Sequence, residues 1–209
     1  MRLAAALIVA LSLAAVIPAI AHNGNAGSAR NGTSTVDPNA ANVQIGGPFT
    51  LTDGNNKPFT EANLLGKYSL VFFGFTFCPD ICPTELQNAL VALDLAGADA
   101  TAQTNIVFIS IDPERDTPSK VNEYVRQFSD SIIGLTGTPE QIAAVARAYK
   151  IYYARSAESE PDDTESYMMD HSSFLYLMGP DGKYITVFRA STDPQEIANT
   201  LKAEIATHR

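Results

Sequence analysis

The chain carries only two cysteines, Cys78 and Cys82, in the run Phe72-Phe73-Gly74-Phe75-Thr76-Phe77-Cys78-Pro79-Asp80-Ile81-Cys82-Pro83. Three residues lie between them. A disulfide brings two sulfurs to ~2 Å. Two thiolates on one metal, each with a bond near ~2.3 Å and an open angle between them, sit roughly 4 Å apart. A loop of this length serves either geometry, so the pair suits thiol–disulfide exchange or metal binding. As a structural staple it would gain little, because the entropy removed on closure grows with loop size.

A third soft-metal ligand must come from elsewhere. There are three histidines, His22, His171 and His208. His208 is the penultimate residue. His22 lies in a polar tail, where it would become the amino terminus if cleavage falls after Ala21. His171 is the one histidine inside the expected domain, in Tyr167-Met168-Met169-Asp170-His171-Ser172-Ser173 just ahead of an expected strand. Two cysteines and one histidine suit three-coordinate Cu(I), and Cu(II) if a further group joins. A structural zinc site would want four ligands, and no fourth cysteine or histidine is available. Asp170 is a candidate to hold the imidazole, although adjacent strand residues face opposite ways. Met168 and Met169 are thioether candidates that packing explains equally well.

The elements around the thiols follow from pattern. Leu70 to Phe75 is a continuous apolar run, as in a strand buried on both faces. Leu86, Leu90 and Leu93 then recur at helical spacing. The thiols therefore belong to a strand-to-helix turn at the carboxyl end of a central strand, where α/β folds place their sites. Three later helices are expected to open on Thr117-Pro118, Thr138-Pro139 and Asp193-Pro194. Proline suits the first helical position because its missing N–H needs no partner there. By the same rule Pro83 opens the first helix and Cys82 caps it, with free backbone N–H groups and the helix dipole favouring its thiolate. Cys78 precedes Pro79 and belongs to the loop.

The chain has 209 residues, 45% hydrophobic and 18% charged, enough for one domain with a sizeable core. Its net charge of −9 argues against nucleic acid as a partner. Residues 1–21 read as a cleavable secretory signal, with an uncleaved membrane anchor as the alternative. Residues 22–42 read as a flexible tether, and residues 43–209 as the folded domain. Export places the thiols in an oxidising compartment.

Phe49 to Thr60 alternates around Asp53-Gly54, the pattern of a β-hairpin. Strand and helix patterns then alternate, with Ala96 to Gln103 as a loop and Glu158 to Glu165 as an exposed acidic loop. A β-hairpin turning at Gly179-Pro180-Asp181-Gly182 and a last helix burying Ile197, Leu201 and Ile205 complete the order. This predicts an α/β fold with a mixed central sheet, helices on both faces and an additional N-terminal β-hairpin. It resembles the thioredoxin architecture.

Three motifs sharpen the resemblance: Phe77-Cys78-Pro79-Asp80-Ile81-Cys82-Pro83, then Asp112-Pro113-Glu114-Arg115-Asp116-Thr117-Pro118, then Asp170-His171-Ser172 ahead of Gly179-Pro180-Asp181-Gly182. Their order and spacing resemble the SCO/SenC family of copper-binding proteins from roughly Gly47 to the end. The resemblance implies a thioredoxin-like fold with copper on Cys78, Cys82 and His171. It implies a role in building the binuclear copper centre of cytochrome c oxidase subunit two, alongside other copper carriers or thiol reductants. The implied location is the periplasm, free or at the inner membrane. The competing class is a metal-independent thiol–disulfide oxidoreductase or peroxidase acting through Cys78 and Cys82. Binuclear copper domains, which share the cysteine spacing, require a histidine and a methionine where this chain has Leu86 and Ala89.

Overall fold

The computed structural model describes residues 44–160, 162 and 164–207. The expected signal segment and tether, with His22 and His208, lie outside them. The described elements run β1 (Thr50–Asp53), β2 (Pro58–Thr60), β3 (Tyr68–Gly74), α1 (Ile81–Ala96), α2 (Ala98–Ala102), β4 (Thr104–Ser110), α3 (Pro118–Arg126), β5 (Ile132–Thr136), α4 (Pro139–Tyr149), β6 (Tyr153–Arg155), β7 (Met169–His171), β8 (Phe174–Met178), β9 (Tyr184–Arg189) and α5 (Pro194–Thr207).

Seven strands form one sheet in the order β2-β1-β5-β4-β3-β8-β9. β3 lies inside it, parallel to β4 and antiparallel to β8. All seven of its residues are buried. That explains the unbroken apolar run: a strand covered on both faces has no solvent side on which to alternate. β1 and β2 pair antiparallel at one edge, and β8 and β9 pair antiparallel at the other. α1 packs on α5, and α3 packs on β5. The sheet is mixed and flanked by helices, as the order of patterns predicts.

Pro118, Pro139 and Pro194 each open their helix, as expected. The first helix differs. It begins at Ile81 with Asp80 at the N-cap, so Cys82 and Pro83 occupy the second and third helical positions. The physical reason is that every N–H of the first turn lacks an intrahelical partner, so proline is tolerated one or two positions further in. The stretch from Ala96 to Gln103 also departs from expectation by forming α2; three alanines supply the helix propensity there.

β6 and β7 form a separate two-stranded ribbon, with Tyr153 opposite His171 and Arg155 opposite Met169. This ribbon, not the main sheet, carries the histidine.

Candidate metal centre

Gly74 ends β3 at the floor of the site. A β-carbon there would stand 2.6 Å from the Cys82 sulfur and 3.0 Å from both the Phe72 and Phe108 rings. The absent side chain is what lets α1 bring Cys82 down onto the strand end. Cys82 is consequently fully buried, while Cys78 is 9% exposed at the cleft. Both cysteines are free thiols.

The structure brings His171 to the same place. Its Nε2 lies 3.8 Å from the Cys82 Sγ. Nδ1 faces the Ser172 carbonyl oxygen at 3.1 Å, an arrangement that fixes the ring. Phe75 and Phe72 meet the imidazole edge-on, with centroids 5.9 Å and 6.3 Å away. Asp170 is exposed and pairs across the ribbon with Ala154, so the backbone carbonyl and not this carboxylate holds the ring. Cys78, Met168, Met169 and His171 line one open cleft of about 420 Å³.

The two thiols are electrostatically unequal. The Cys78 thiol is held down to about 4, chiefly by a hydrogen bond from Cys82, with further help from His171 and the backbone N–H groups of Asp80 and Cys82, against the opposing effect of burial. The Cys82 thiol is pushed well up by its Cys78 neighbour and by burial. This reverses the sequence expectation, in which Cys82 at the helix mouth was the favoured thiolate. Once Cys82 sits inside the first turn, the amides of that turn point at the Cys78 sulfur in the preceding loop. Alkylation of the reduced, metal-free chain by iodoacetamide should therefore proceed at Cys78 at a rate nearly flat from about pH 6 to pH 8, since the thiolate is already formed. In Cys82→Ala, which removes the donor, the rate should climb with pH across that range; a climbing rate in the unaltered chain would refute the assignment.

A loop between β4 and α3 ties the two halves of the site together. Buried Asp116 accepts hydrogen bonds from the Thr76 N–H at 2.9 Å, the Thr76 hydroxyl at 2.6 Å and the Ser110 hydroxyl at 2.6 Å. Thr76 belongs to the cysteine loop. Buried Asp112 accepts from Arg115 Nε at 2.6 Å and from the Tyr167 hydroxyl. Arg115 lies over the Tyr167 ring at 3.6 Å and the Phe77 ring at 4.9 Å, and it donates to the Glu165 carbonyl oxygen. Tyr167 and Glu165 precede the histidine ribbon. In the sequence this loop stands out as a motif whose side chains carry no evident task. The signal was its density of charge directly after the apolar run Ile106 to Ile109 of β4.

Among the described residues, no three His, Cys, Asp or Glu side chains stand arrayed to hold a metal ion as they are. The thiols are engaged with each other instead. The donor set nevertheless suits a soft ion. With bonds of ~2.3 Å to sulfur and ~2.0 Å to nitrogen, the 3.8 Å separation of Cys82 Sγ and His171 Nε2 subtends an angle of about 120° at a shared ion, the trigonal value.

The chain is 42% identical over 172 residues to "Protein SCO1 homolog 1, mitochondrial" of Arabidopsis thaliana, covering 82% of this chain and 50% of that one. The chain thus spans about half the length of that relative. Among solved structures it resembles Arabidopsis thaliana ScoI with copper bound, at a TM-score of 0.71 and 42% identity, covering 78% of this chain and 99% of that chain. It also resembles BsSco, described as a Sco family cytochrome c oxidase assembly protein with a disulfide switch, at a TM-score of 0.58 and 25% identity, covering 79% and 96%. These likenesses bear out the thioredoxin-like fold. The SCO1/SenC profile matches residues 37–206. With that span, the cysteine turn and the distal histidine in hand, this chain belongs to the SCO1/SenC family.

Proposed function

We propose that this chain binds Cu(I) through Cys78, Cys82 and His171 and delivers it during assembly of the binuclear copper centre of cytochrome c oxidase subunit two. The observation that carries the reading is the 3.8 Å approach of the His171 imidazole to the Cys82 sulfur across 89 residues of sequence. The copper-bound relative and the family membership support it. Binding requires Cys82 to lose its proton and Cys78 to turn from its thiol neighbour toward the ion. Cys78 lies in a loop outside α1, so that shift breaks no helical hydrogen bond. Copper(II) would enter with an added ligand.

The same thiols support a second activity, reduction of cysteines on the copper-receiving partner. Cys78 is the less deeply buried, thiolate-bearing member, and Cys82 is the fully buried one placed to resolve a mixed disulfide. Such a cycle calls on thiol reductants as further partners. A thiol–disulfide exchange that uses no metal is the competing reading. The domain works in the periplasm, free or facing it from the inner membrane, with residues 1–21 as signal or anchor, 22–42 as tether and 43–209 as the working domain. No helix among the described residues is long and apolar enough to cross a membrane.

The test is an anaerobic titration of the reduced chain with Cu(I) against a competing chromophoric chelator. One ion should be retained per chain, and prior oxidation to the Cys78–Cys82 disulfide should abolish retention. Retention that survives oxidation, or failure of the reduced chain to bind, would overturn the copper reading; robust dithiol turnover by the metal-free chain in that second case would favour the competing one.

A further inference from the structure

Copper has a route to satisfy before it reaches the thiols. Cys82 is fully buried and Cys78 nearly so, so an arriving ion meets the cleft walls first. Those walls hold two methionines. Three of the chain's four methionines lie among the described residues, and they divide sharply. Met178 is buried in the core at 4% exposure. Met168 and Met169 are only half-buried and line the same cleft as Cys78 and His171.

Their placement is set by the backbone. On β7, Met169 and His171 are two residues apart and so share a face, and the exposed Asp170 between them also lines this cleft. Met169 also lines the neighbouring cleft beside Asp112 and Tyr167, so it stands in the wall between the two clefts. The Met168 backbone is pinned on both sides: its N–H donates to the Ser159 hydroxyl at 2.9 Å and its carbonyl accepts from the Ser156 N–H at 2.8 Å. A thioether is a soft, neutral donor that selects Cu(I), needs no deprotonation and holds the ion more loosely than a thiolate.

We infer that the Met168 and Met169 thioethers, with His171, form a landing site for Cu(I) at the mouth of the cleft, occupied before the ion passes to Cys78 and Cys82. The inference rests on the copper reading above. The passage is ligand exchange with no change of oxidation state. A thioether–copper bond breaks as the Cys78 thiolate forms its own. Cys82 then releases its proton to solvent as its sulfur binds. His171, on the same strand face as Met169, remains bound throughout.

The test compares full-length chains in two backgrounds. Leucine nearly matches methionine in volume and apolar character, so Met168→Leu/Met169→Leu keeps the cleft walls. In a Cys78→Ser/Cys82→Ser background, the chain should still bind one Cu(I) weakly, with sulfur neighbours visible by copper X-ray absorption. Adding the two leucines should weaken that binding by about tenfold or more and remove the sulfur neighbours. With both cysteines present, the leucine chain should take up Cu(I) from a weak donor about tenfold more slowly than the unaltered chain. Equal uptake rates, together with no sulfur-ligated copper in the cysteine-free chain, would overturn the landing site while leaving the Cys78–Cys82–His171 reading intact. The opposite pattern, thioether binding without any tighter binding by the unaltered chain, would sink that underlying reading and leave the thioether site standing.

Discussion

Replacing His171 with alanine should lower the affinity of the reduced chain for Cu(I) by at least about a hundredfold, because loss of even an outer-shell partner costs up to that much. The imidazole is the one nitrogen donor at the cleft among the described histidines, and its Nε2 already sits 3.8 Å from the Cys82 sulfur. Without it two thiolates remain, enough to hold the ion linearly but not to close a third side. The fold should tolerate the change. His171 is half-buried on a two-stranded ribbon outside the main sheet, and its ring makes edge contacts with Phe72 and Phe75 that contribute about 0.5–1.5 kcal/mol each. Competition with a chromophoric Cu(I) chelator gives the affinity, and thermal unfolding monitors the fold. Unchanged affinity in a folded variant would remove the imidazole from the ligand set.

Gly74→Ala should act from the opposite wall. Its new methyl would stand 2.6 Å from the Cys82 sulfur and 3.0 Å from two buried phenylalanine rings. None of these neighbours is the free end of a flexible side chain, so the strand end or α1 must shift. Overpacking of this kind costs about 1–3 kcal/mol. On the copper reading proposed above, the copper affinity should fall with it, because the first atom displaced is the Cys82 sulfur. A double-mutant cycle separates this from a general fault. Cys82→Ala in the Gly74→Ala chain removes the clashing sulfur, so the stability loss in the double variant should be well below the sum of the two single losses. Strict additivity of the two losses would show that Gly74 matters for some reason other than room for Cys82.

The sequence carried more of the site than of its wiring. The apolar run from Leu70 to Phe75 located β3, because a strand buried on both faces leaves an unmistakable pattern. Proline at the head of α3, α4 and α5 located three helix starts. The same rule misplaced the start of α1 by two residues, since it cannot distinguish the first helical position from the third when both lack a partner. That small error exchanged the roles of the two thiols. Which sulfur receives the amides depends on how the loop folds over the helix end, and residue types do not encode that. The meeting of His171 with Cys82 was an expectation from donor chemistry and resemblance, and long-range contact across a sheet has no local signature. The buried carboxylates of Asp112 and Asp116 were legible only as a motif, because their work is done on Tyr167 and Thr76, far away in sequence.

The β6–β7 ribbon gives the proposed ligand set an uneven footing. Cys82 is seated in the first turn of α1 against the buried end of β3, and Cys78 lies in the short loop that joins the two, so both sulfurs hang on the core of the domain. The imidazole rides on strands of three residues each, and two-stranded ribbons contribute little stability by themselves. Thermal excursions will thus lift the nitrogen away from the sulfurs at far lower cost than they will part the sulfurs from the sheet. Copper held by all three groups would be kinetically loose on one side only. A receiving protein would find its vacancy where the ribbon peels back, without any need to unfold the donor.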